Sequence, residues 1–548
     1  GEAGQGIETT VTMLEKFLKK SGYFVFTTRD FMSRVRGGHN CSTVRFADKA
    51  INSHSNVLDG IIALNEETIS IHKNKLKDNG FILCDTSINT DDSRAIRLNI
   101  NEMAKNIGNP RVAGSISIGV ILKLFGESID TAEEVMKSSL REEFIKINIE
   151  AIEQGYNNVE SKFPKLQGDF QDYMIISGND ALALGAIAGG LKFYSAYPMS
   201  PATSIMEYLA SKSKETGIVV EQAEDEIAAS NMAIGASYAG AKAMTGTSGG
   251  GFSLMVESIG LAGIAEIPVV LVNVQRPGPA TGLPTRTEQS DLRFVISASQ
   301  GEFPRMVIAV RNQEDAFYQT ARALNLAEKY QIPVIILSDQ YLADGTSTVK
   351  PFDFSKITIE KTANEEDISG EYLRYQYTED GISPRLIPGK TKHLVAADSD
   401  EHTERGWITE SATTRIQMVD KRMKKLEKLE EELQEPIFLG NEDCQTLFVG
   451  WGSTCGPIIE AIETLNNTET NKYGALVFGD IYPLPRKKLE EISTTAKRII
   501  NIEQNATGQL AGLIREVTGI SCTSSILKYD GRQITAEEIE DEVLKGGY

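Results

Sequence analysis

Apolar runs of strand length alternate with stretches of helical period along most of this chain. In the first part the runs are GIIALN (60–65), GFILCD (80–85) and SISIGVILKLFG (115–126). Between and around them, IETTVTMLEKFLKKSG (7–22) and TAEEVMKSSLREEFIKINIEAIEQG (131–155) repeat their apolar residues at helical spacing. Strands alternating with helices predict a mainly parallel α/β sheet. Polar NNVESKFPKLQGDFQDY (157–173) then reads as a linker. The alternation resumes with IPVVLVNVQ (267–275), FPRMVIAV (303–310), a helix from Glu314 to Tyr330, and IPVIILS (332–338). It starts a third time with QTLFVGWG (445–452), STCGPIIEAIETLNN (453–467), GALVFGD (474–480) and RIINIEQNATGQLAGLIREV (498–517). The fold class is therefore α/β, as three domains with mainly parallel sheets, over 1–160, 170–345 and 441–548. Residues 346–440 bridge the last two. That bridge ends in a charged helix, TRIQMVDKRMKKLEKLEEELQ, on which Val419, Met423, Leu426 and Leu433 share one face. Packing by that single apolar stripe is the expectation, with a partner-binding seam as the alternative.

Composition changes this picture mainly by exclusion. A length of 548 residues suits about three or four domains. The net charge of −20 and pI near 4.9 argue against nucleic acid or an anionic membrane as the general partner. No apolar run approaches the ~18–20 residues that span a bilayer, and nothing resembles a signal peptide. Five cysteines stand far apart, at 41, 84, 444, 455 and 522, with no CxxC pair and no Cys/His cluster at metal-ligand spacing. Reduced structural thiols in a cytoplasmic protein are expected, with no metal and no iron–sulfur cluster held by this chain alone. The first residues, GEAGQG, form a glycine turn with no strand before it, so residues preceding Gly1 are expected.

Four segments of the middle block hold the candidate chemistry. FYSAYPMSPATSIMEYL (193–209) leaves a strand through Pro198 and Pro201, and presents Ser200, Thr203 and Ser204 where a helix begins. Those hydroxyls could bind a ligand or merely cap the helix. IVVEQAEDEIAAS (218–230) runs a buried-looking strand into Glu221, Glu224, Asp225 and Glu226. A carboxylate at the edge of an apolar pocket can share a proton with a heterocycle nitrogen; a solvated cluster on the first helical turn is the other reading. MTGTSGGGFSLM (244–255) sets three glycines behind Thr247 and Ser248, a loop no side chain obstructs, though without the GK[ST] of a P-loop. VNVQRPGPATGLPTRTEQSDL (272–292) places Arg276 among Pro and Gly at a strand's end, where open α/β sheets bind ligands. Arg276 is either a fork for a carboxylate or one half of a structural salt bridge.

YPMSP, QAEDE, TSGGGFSLM, EIPVV and RPGPATGLPT, in this order, resemble the alpha subunit of the 2-oxoacid:ferredoxin oxidoreductases. GWGSTCG and NIEQNATGQL resemble that family's transketolase-C-like domain. GEAGQG and SRVRGGHNCSTVRF (33–46) resemble its gamma subunit, fused in front. The resemblance thus covers nearly the whole chain. It implies a gamma-type domain, a pyrimidine-binding domain for thiamine diphosphate, and a transketolase-C-like domain, in that order.

In such enzymes thiamine diphosphate lies between two chains, the alpha chain gripping the aminopyrimidine. The beta chain holds the diphosphate, Mg²⁺ and a [4Fe–4S] cluster. The absence here of a GDG motif, and of cluster-forming cysteines, fits a chain that needs that partner. Glu224 aligns with the activating glutamate that bonds pyrimidine N1′, so that the cofactor can deprotonate its own C2. Tyr197, Pro198, Thr247, Ser248 and Gly249 align with the cofactor-contacting segments. Arg276 and Thr285 match positions that bind the 2-oxoacid carboxylate. Ser200 stands in YPMSP where the family usually has threonine in YPITP, keeping the hydroxyl and losing the methyl. Gly4, Gln5 and Gly6, with Arg34 and Arg36, are candidates for coenzyme A phosphates or for a purely structural turn. The implied reaction is coenzyme A-acylating oxidative decarboxylation with electrons passed to ferredoxin. The fused gamma domain and DSDEHTERGWITE (398–410) look most like the 2-oxoglutarate branch; pyruvate and branched-chain oxoacids stay open, as does a non-catalytic scaffold subunit.

Overall fold

The computed structural model describes residues 1–33, 37–360, 363, 368–468 and 472–546. They form two compact units: Gly1–Ile176 with Gly345–Pro351, and Ser177–Asp344 with the chain from Phe352 onward. Among the described residues no helix is long and apolar enough to cross a membrane.

The first unit holds two sheets. Leu58–Ala63, Leu76–Asp85 and Ala95–Leu98 are parallel neighbours and contain GIIALN and GFILCD. In the second sheet, Cys41–Ala47 runs antiparallel to Phe24–Asp30, which pairs on its other side with Thr346–Val349. The apolar run at 115–126, grouped with the strands on sequence, is a helix, Ala113–Leu124. An apolar run without alternation fits either a buried strand or a helix buried all round, and here every residue from Ser115 to Leu122 is buried. Two glycines select the helix: a Cβ on Gly119 would overlap Ile152 O, and one on Gly155 would overlap Ile116 O. The Glu142–Asn157 helix therefore crosses it almost backbone to backbone.

In the second unit a seven-stranded sheet runs, in spatial order, Asp480–Tyr482, Met306–Ala309, Pro333–Asp339, Val269–Gln275, Ala243–Thr247, Phe193–Ala196, Val219–Gln222. Six strands are parallel; only Asp480–Tyr482, from the last block, is antiparallel. Contrary to the buried strand read at 218–222, Val219–Gln222 is the sheet's edge, and Val219 is 53% exposed. A five-stranded sheet follows, with Thr446–Trp451 parallel to both Tyr473–Phe478 and Arg498–Glu503. Phe252, Val307 and Leu337 share one core with Leu447, Trp451, Leu476 and Ile481. Gln289 joins the two blocks: its Nε2 donates to Trp451 O at 2.7 Å, and its Oε1 accepts from Gln504 N at 3.1 Å. Of the last block's motif residues, Trp451 Nε1 donates to Glu503 Oε2 at 3.0 Å, and Glu503 Oε1 accepts from Leu510 N at 2.9 Å. These contacts hold the fold together.

The charged helix spans Ala412–Glu430 and packs differently from the expectation. Its buried residues are Met418, Lys421, Arg422, Lys425 and Leu429, whereas Val419, Met423 and Leu426 are only half-buried and Leu433 lies beyond its end. Arg422 donates to Glu401 through both guanidinium nitrogens, at 3.0 and 2.7 Å. Lys421 and Lys425 both reach the buried Glu266, each at 2.6 Å. Charge pairing overrides the apolar stripe because the surface it meets carries a carboxylate.

Candidate functional site

Strand order collects the candidate residues. The adjacent strands Val269–Gln275, Ala243–Thr247, Phe193–Ala196 and Val219–Gln222 are parallel, so their C-terminal ends lie along one edge. Arg276 follows the first strand, Thr247 ends the second, Tyr197 follows the third, and Glu224 lies two residues beyond the fourth. Ala223 N donates to Ala196 O at 3.0 Å, which carries the strand pairing up to the residues just before Tyr197 and Glu224.

Arg276 and Ser200, chosen independently on sequence, meet: Arg276 Nη1 donates to Ser200 O at 2.6 Å. The guanidinium is half-buried, and burial lowers its pKa from the ordinary value, so an anion beside it would meet a poorly hydrated cation. The YPMSP turn is braced from below by buried Asn179, whose Nδ2 donates to Pro201 O and Ser204 Oγ, both at 2.8 Å. Thr247 Oγ1 lies 3.7 Å from Met199 Sδ of the same turn. Pro198 is half-buried, and Tyr197 is 40% exposed at the mouth. Thr285 is half-buried in the loop after Arg276, its carbonyl accepting from Arg286 Nη1 at 3.2 Å.

The acid cluster separates into distinct roles. Asp225 caps the Glu226–Tyr238 helix, its Oδ1 accepting from Ala228 N at 2.7 Å. Glu226 is buried, with Oε1 lacking a hydrogen-bond partner. Glu221 is exposed along the edge strand, which leaves Glu224 as the exposed carboxylate at the strand's end. The glycine run forms the first turn of the Gly249–Ile264 helix, behind Ser248. Ser248 Oγ is also buried without a partner. A Cβ on Gly249 would overlap Asp291 Oδ2, and one on Gly251 would overlap Thr247 Oγ1, but one on Gly250 would meet only Ala280 O, at 3.8 Å. The edge thus exposes bare backbone at Gly250, with the unsatisfied oxygens of Ser248 and Glu226 enclosed beneath it.

Sequence reasoning missed the polar layer beneath. Asp291 accepts from Asn273 Nδ2 at 3.0 Å, its backbone N–H donates to Gln275 Oε1 at 3.1 Å, and burial raises its pKa. The available signal was the strand IPVVLVNVQ, whose apolar run breaks into Asn and Gln at the edge where ligands bind.

In the first unit, Gly4 and Gly6 take left-handed φ values of 93° and 77°, and Gly6 starts the Ile7–Lys20 helix without a side-chain cap. Gln5 Oε1 accepts from Glu2 N at 2.7 Å. Arg34 and Arg36 lie outside the described residues. The unit also gathers three residues that linear spacing did not connect. His39 Nε2 lies 2.8 Å from His72 Nε2, and the Cys41 thiol joins them with all ligand atoms within 4.8 Å of one another.

A parallel-sheet edge of this kind marks a ligand-binding α/β protein, and comparison with known proteins narrows the class. The family model "Pyruvate flavodoxin/ferredoxin oxidoreductase, thiamine diP-bdg" matches residues 184–421. "Pyruvate ferredoxin/flavodoxin oxidoreductase" matches 1–158, and "Pyruvate:ferredoxin oxidoreductase core domain II" matches 444–539. A Sulfolobus 2-oxoacid:ferredoxin oxidoreductase subunit alpha is 33% identical over 100% of this chain and 96% of its own length. The Mycobacterium tuberculosis 2-oxoglutarate oxidoreductase subunit KorA is 30% identical over 78% of this chain and 67% of its own. A solved 2-oxoglutarate:ferredoxin oxidoreductase from Magnetococcus marinus, with 2-oxoglutarate, coenzyme A and succinyl-CoA bound, superposes with a TM-score of 0.92 at 33% identity. The superposition covers 100% of this chain and 98% of that one. The chain belongs to the 2-oxoacid:ferredoxin oxidoreductase family and carries that family's thiamine-diphosphate-binding domain.

Proposed function

We propose that this chain is the alpha subunit of a coenzyme A-acylating 2-oxoacid:ferredoxin oxidoreductase that converts 2-oxoglutarate to succinyl-coenzyme A in the cytoplasm. The observation that carries the reading is the strand-end edge on which Glu224, Tyr197, Thr247, Ser248 and the Ser200–Arg276 contact lie together. In net balance the C1–C2 bond of the oxoacid breaks and CO₂ leaves. The acyl carbon joins the coenzyme A sulfur, a proton is released, and two electrons pass to two ferredoxins.

Thiamine diphosphate, when bound, supplies the electron sink for decarboxylation. Glu224 would be the carboxylate that shares a proton with its aminopyrimidine. Tyr197, Pro198, Thr247, Ser248 and Gly249 would form the segments that hold that ring. The open backbone at Gly250 and the exposed Glu224 carboxylate at the strand's end are the observations in this chain that fit a polar ring. Arg276 orients the oxoacid carboxylate, with Ser200 and Thr285 supplying hydroxyls. A beta subunit contributes the diphosphate and Mg²⁺ site and the [4Fe–4S] relay to ferredoxin. The turn Gly4–Gln5–Gly6, with Arg34 and Arg36, serves coenzyme A. The choice of 2-oxoglutarate is supported by the ligands bound in the Magnetococcus marinus relative and by the name of the Mycobacterium tuberculosis KorA relative.

The test is dye reduction by the reconstituted complex with 2-oxoglutarate and with pyruvate. Faster turnover of pyruvate would overturn the substrate. Glu224→Gln should lower kcat by about 100-fold or more, the usual order for a positioned proton-transfer group. An unchanged rate would leave the chain a scaffold.

A further inference from the structure

We infer that His39, Cys41 and His72 form a binding site for a borderline-soft divalent transition metal, of which zinc is the type. His39 and Cys41 are two residues apart, the latter opening the Cys41–Ala47 strand, and His72 ends the Glu66–His72 helix. Their candidate ligand atoms lie within 4.8 Å of one another. Tetrahedral zinc with nitrogen ligands near 2.0–2.1 Å and sulfur near 2.3 Å places its ligand atoms about 3.3–3.6 Å apart. The two Nε2 atoms, at 2.8 Å, need only swing about half an ångström apart for an ion to sit between them.

The donor set is selective. Two imidazoles and a thiolate suit zinc and its neighbours rather than Mg²⁺ or Ca²⁺, which take oxygen ligands. The site is half-buried, so an ion can reach it, and three protein ligands leave a fourth position for water or a substrate atom. Burial first, and then the partner ring, lowers His72 to about 4; burial lowers His39 as well. The neutral imidazole is the form that ligates metals. His39 Nδ1 is buried without a partner, so Nε2 is the atom through which this ring makes its strong contact. A pair of imidazoles linked only by their own hydrogen bond is the competing explanation.

Metal binding should draw a proton from Cys41 and tighten as pH rises. It would tie the end of the 66–72 helix to the start of the 41–47 strand.

The experiment uses the full chain in complex with its partner, stripped by chelator, dialysed against zinc, and passed through gel filtration. Zinc is counted per chain by mass spectrometry, with iron counted separately. One retained zinc is expected, with zinc-edge absorption showing a shell of two nitrogens and one sulfur plus a light atom. Cys41→Ser and His72→Gln should each weaken zinc binding by more than about 100-fold, since losing a direct ligand exceeds the roughly 10–100-fold cost of losing an outer partner. Their metal-free forms should melt with metal-free wild type, while zinc raises the wild-type melting temperature alone. The same zinc content in all three proteins, no zinc retained by wild type, or a shell without sulfur would each overturn the site.

Discussion

Glu266→Gln removes the one carboxylate that two buried ammonium groups share. Glu266 is fully buried at the end of the Gly249–Ile264 helix. Lys421 Nζ donates to its two oxygens at 2.6 and 2.8 Å, and Lys425 Nζ lies 2.6 Å from Oε2. Both lysine side chains are at most 2% exposed, and Arg374 Nη2 donates to the Glu266 carbonyl at 2.7 Å. Burial by itself would raise the Glu266 carboxyl, but Lys425, Lys421 and Arg374 together hold it well below the usual carboxylate range. Glutamine keeps the shape and leaves both ammonium groups unpaired away from water. Breaking a buried pair in this way costs about 3–5 kcal/mol. At about 2 °C per kcal/mol for a unit this large, the melting temperature should fall by roughly 6–10 °C.

Lys425→Met is the discriminating partner experiment. It leaves Glu266 paired with Lys421 and removes an ammonium that burial, against the pull of Glu266, already pushes down to about 7. Near pH 7 its effect should stay within about 1 kcal/mol, in either direction. The pH dependence follows with a definite sign. Between about 7 and the ordinary 10.5 the unfolded chain holds a proton that folded Lys425 has released, so this group makes stability rise with pH across that window. Lys425→Met should flatten the rise. Glu266 contributes stability that is complete above 4.5 and is lost as pH falls below it. Differential scanning calorimetry of the three proteins from about pH 3 to 10 would read all of this. At pH 7, a Glu266→Gln transition within about 2 °C of wild type, or a Lys425→Met loss as large as that of Glu266→Gln, would refute the reasoning.

Arg276→Lys keeps the charge and loses the planar fork that reaches Ser200 O and, in the proposed role, would also reach a substrate carboxylate. Forfeiting a charge-assisted bond of about 1.5–3 kcal/mol should raise the oxoacid KM roughly 10–150-fold. A KM within about twofold of wild type would contradict the role. Gly251→Ala should destabilise by about 1–3 kcal/mol, because the new methyl overlaps buried Thr247 Oγ1 and meets Glu226 Oε1 at 2.6 Å. Gly250→Ala has space, so its melting temperature should hold or rise while thiamine diphosphate affinity, measured by calorimetry on the complex, falls. Unchanged affinity would show that the cofactor does not approach that backbone.

Periodicity was a sound guide where an element has one buried side. It was blind where burial is complete or the buried groups are charged. GIIALN and GFILCD are strands as read, because a short run between turns has few alternatives. Residues 113–124 are apolar all round, and nothing local distinguishes that run from a buried strand. The clue was non-local, in two glycines thirty-six positions apart that let two helices touch: Gly119 and Gly155. The charged helix failed for the opposite reason. Its buried Lys421 and Lys425 look like solvent-facing residues until Glu266, far earlier in the chain, is known to face them.

For the site, the decisive information was spread along the sequence, and only strand order could gather it. Ser200 and Arg276 are separated by seventy-six residues, yet one donates directly to the other's carbonyl. Each was ambiguous alone: the serine as a helix cap, the arginine as half of a salt bridge. The structure gives the Arg276 Nη1 a neutral carbonyl as acceptor, so that contact leaves its positive charge uncompensated. A half-buried guanidinium with an uncompensated charge gains most when an anion arrives, which is the condition a carboxylate-binding site must meet. The same logic sorts the acid cluster. Asp225 spends its oxygen on the helix cap and Glu226 is enclosed, so Glu224 is the acid at the strand's end whose carboxylate stays open to solvent, as the proposed role requires.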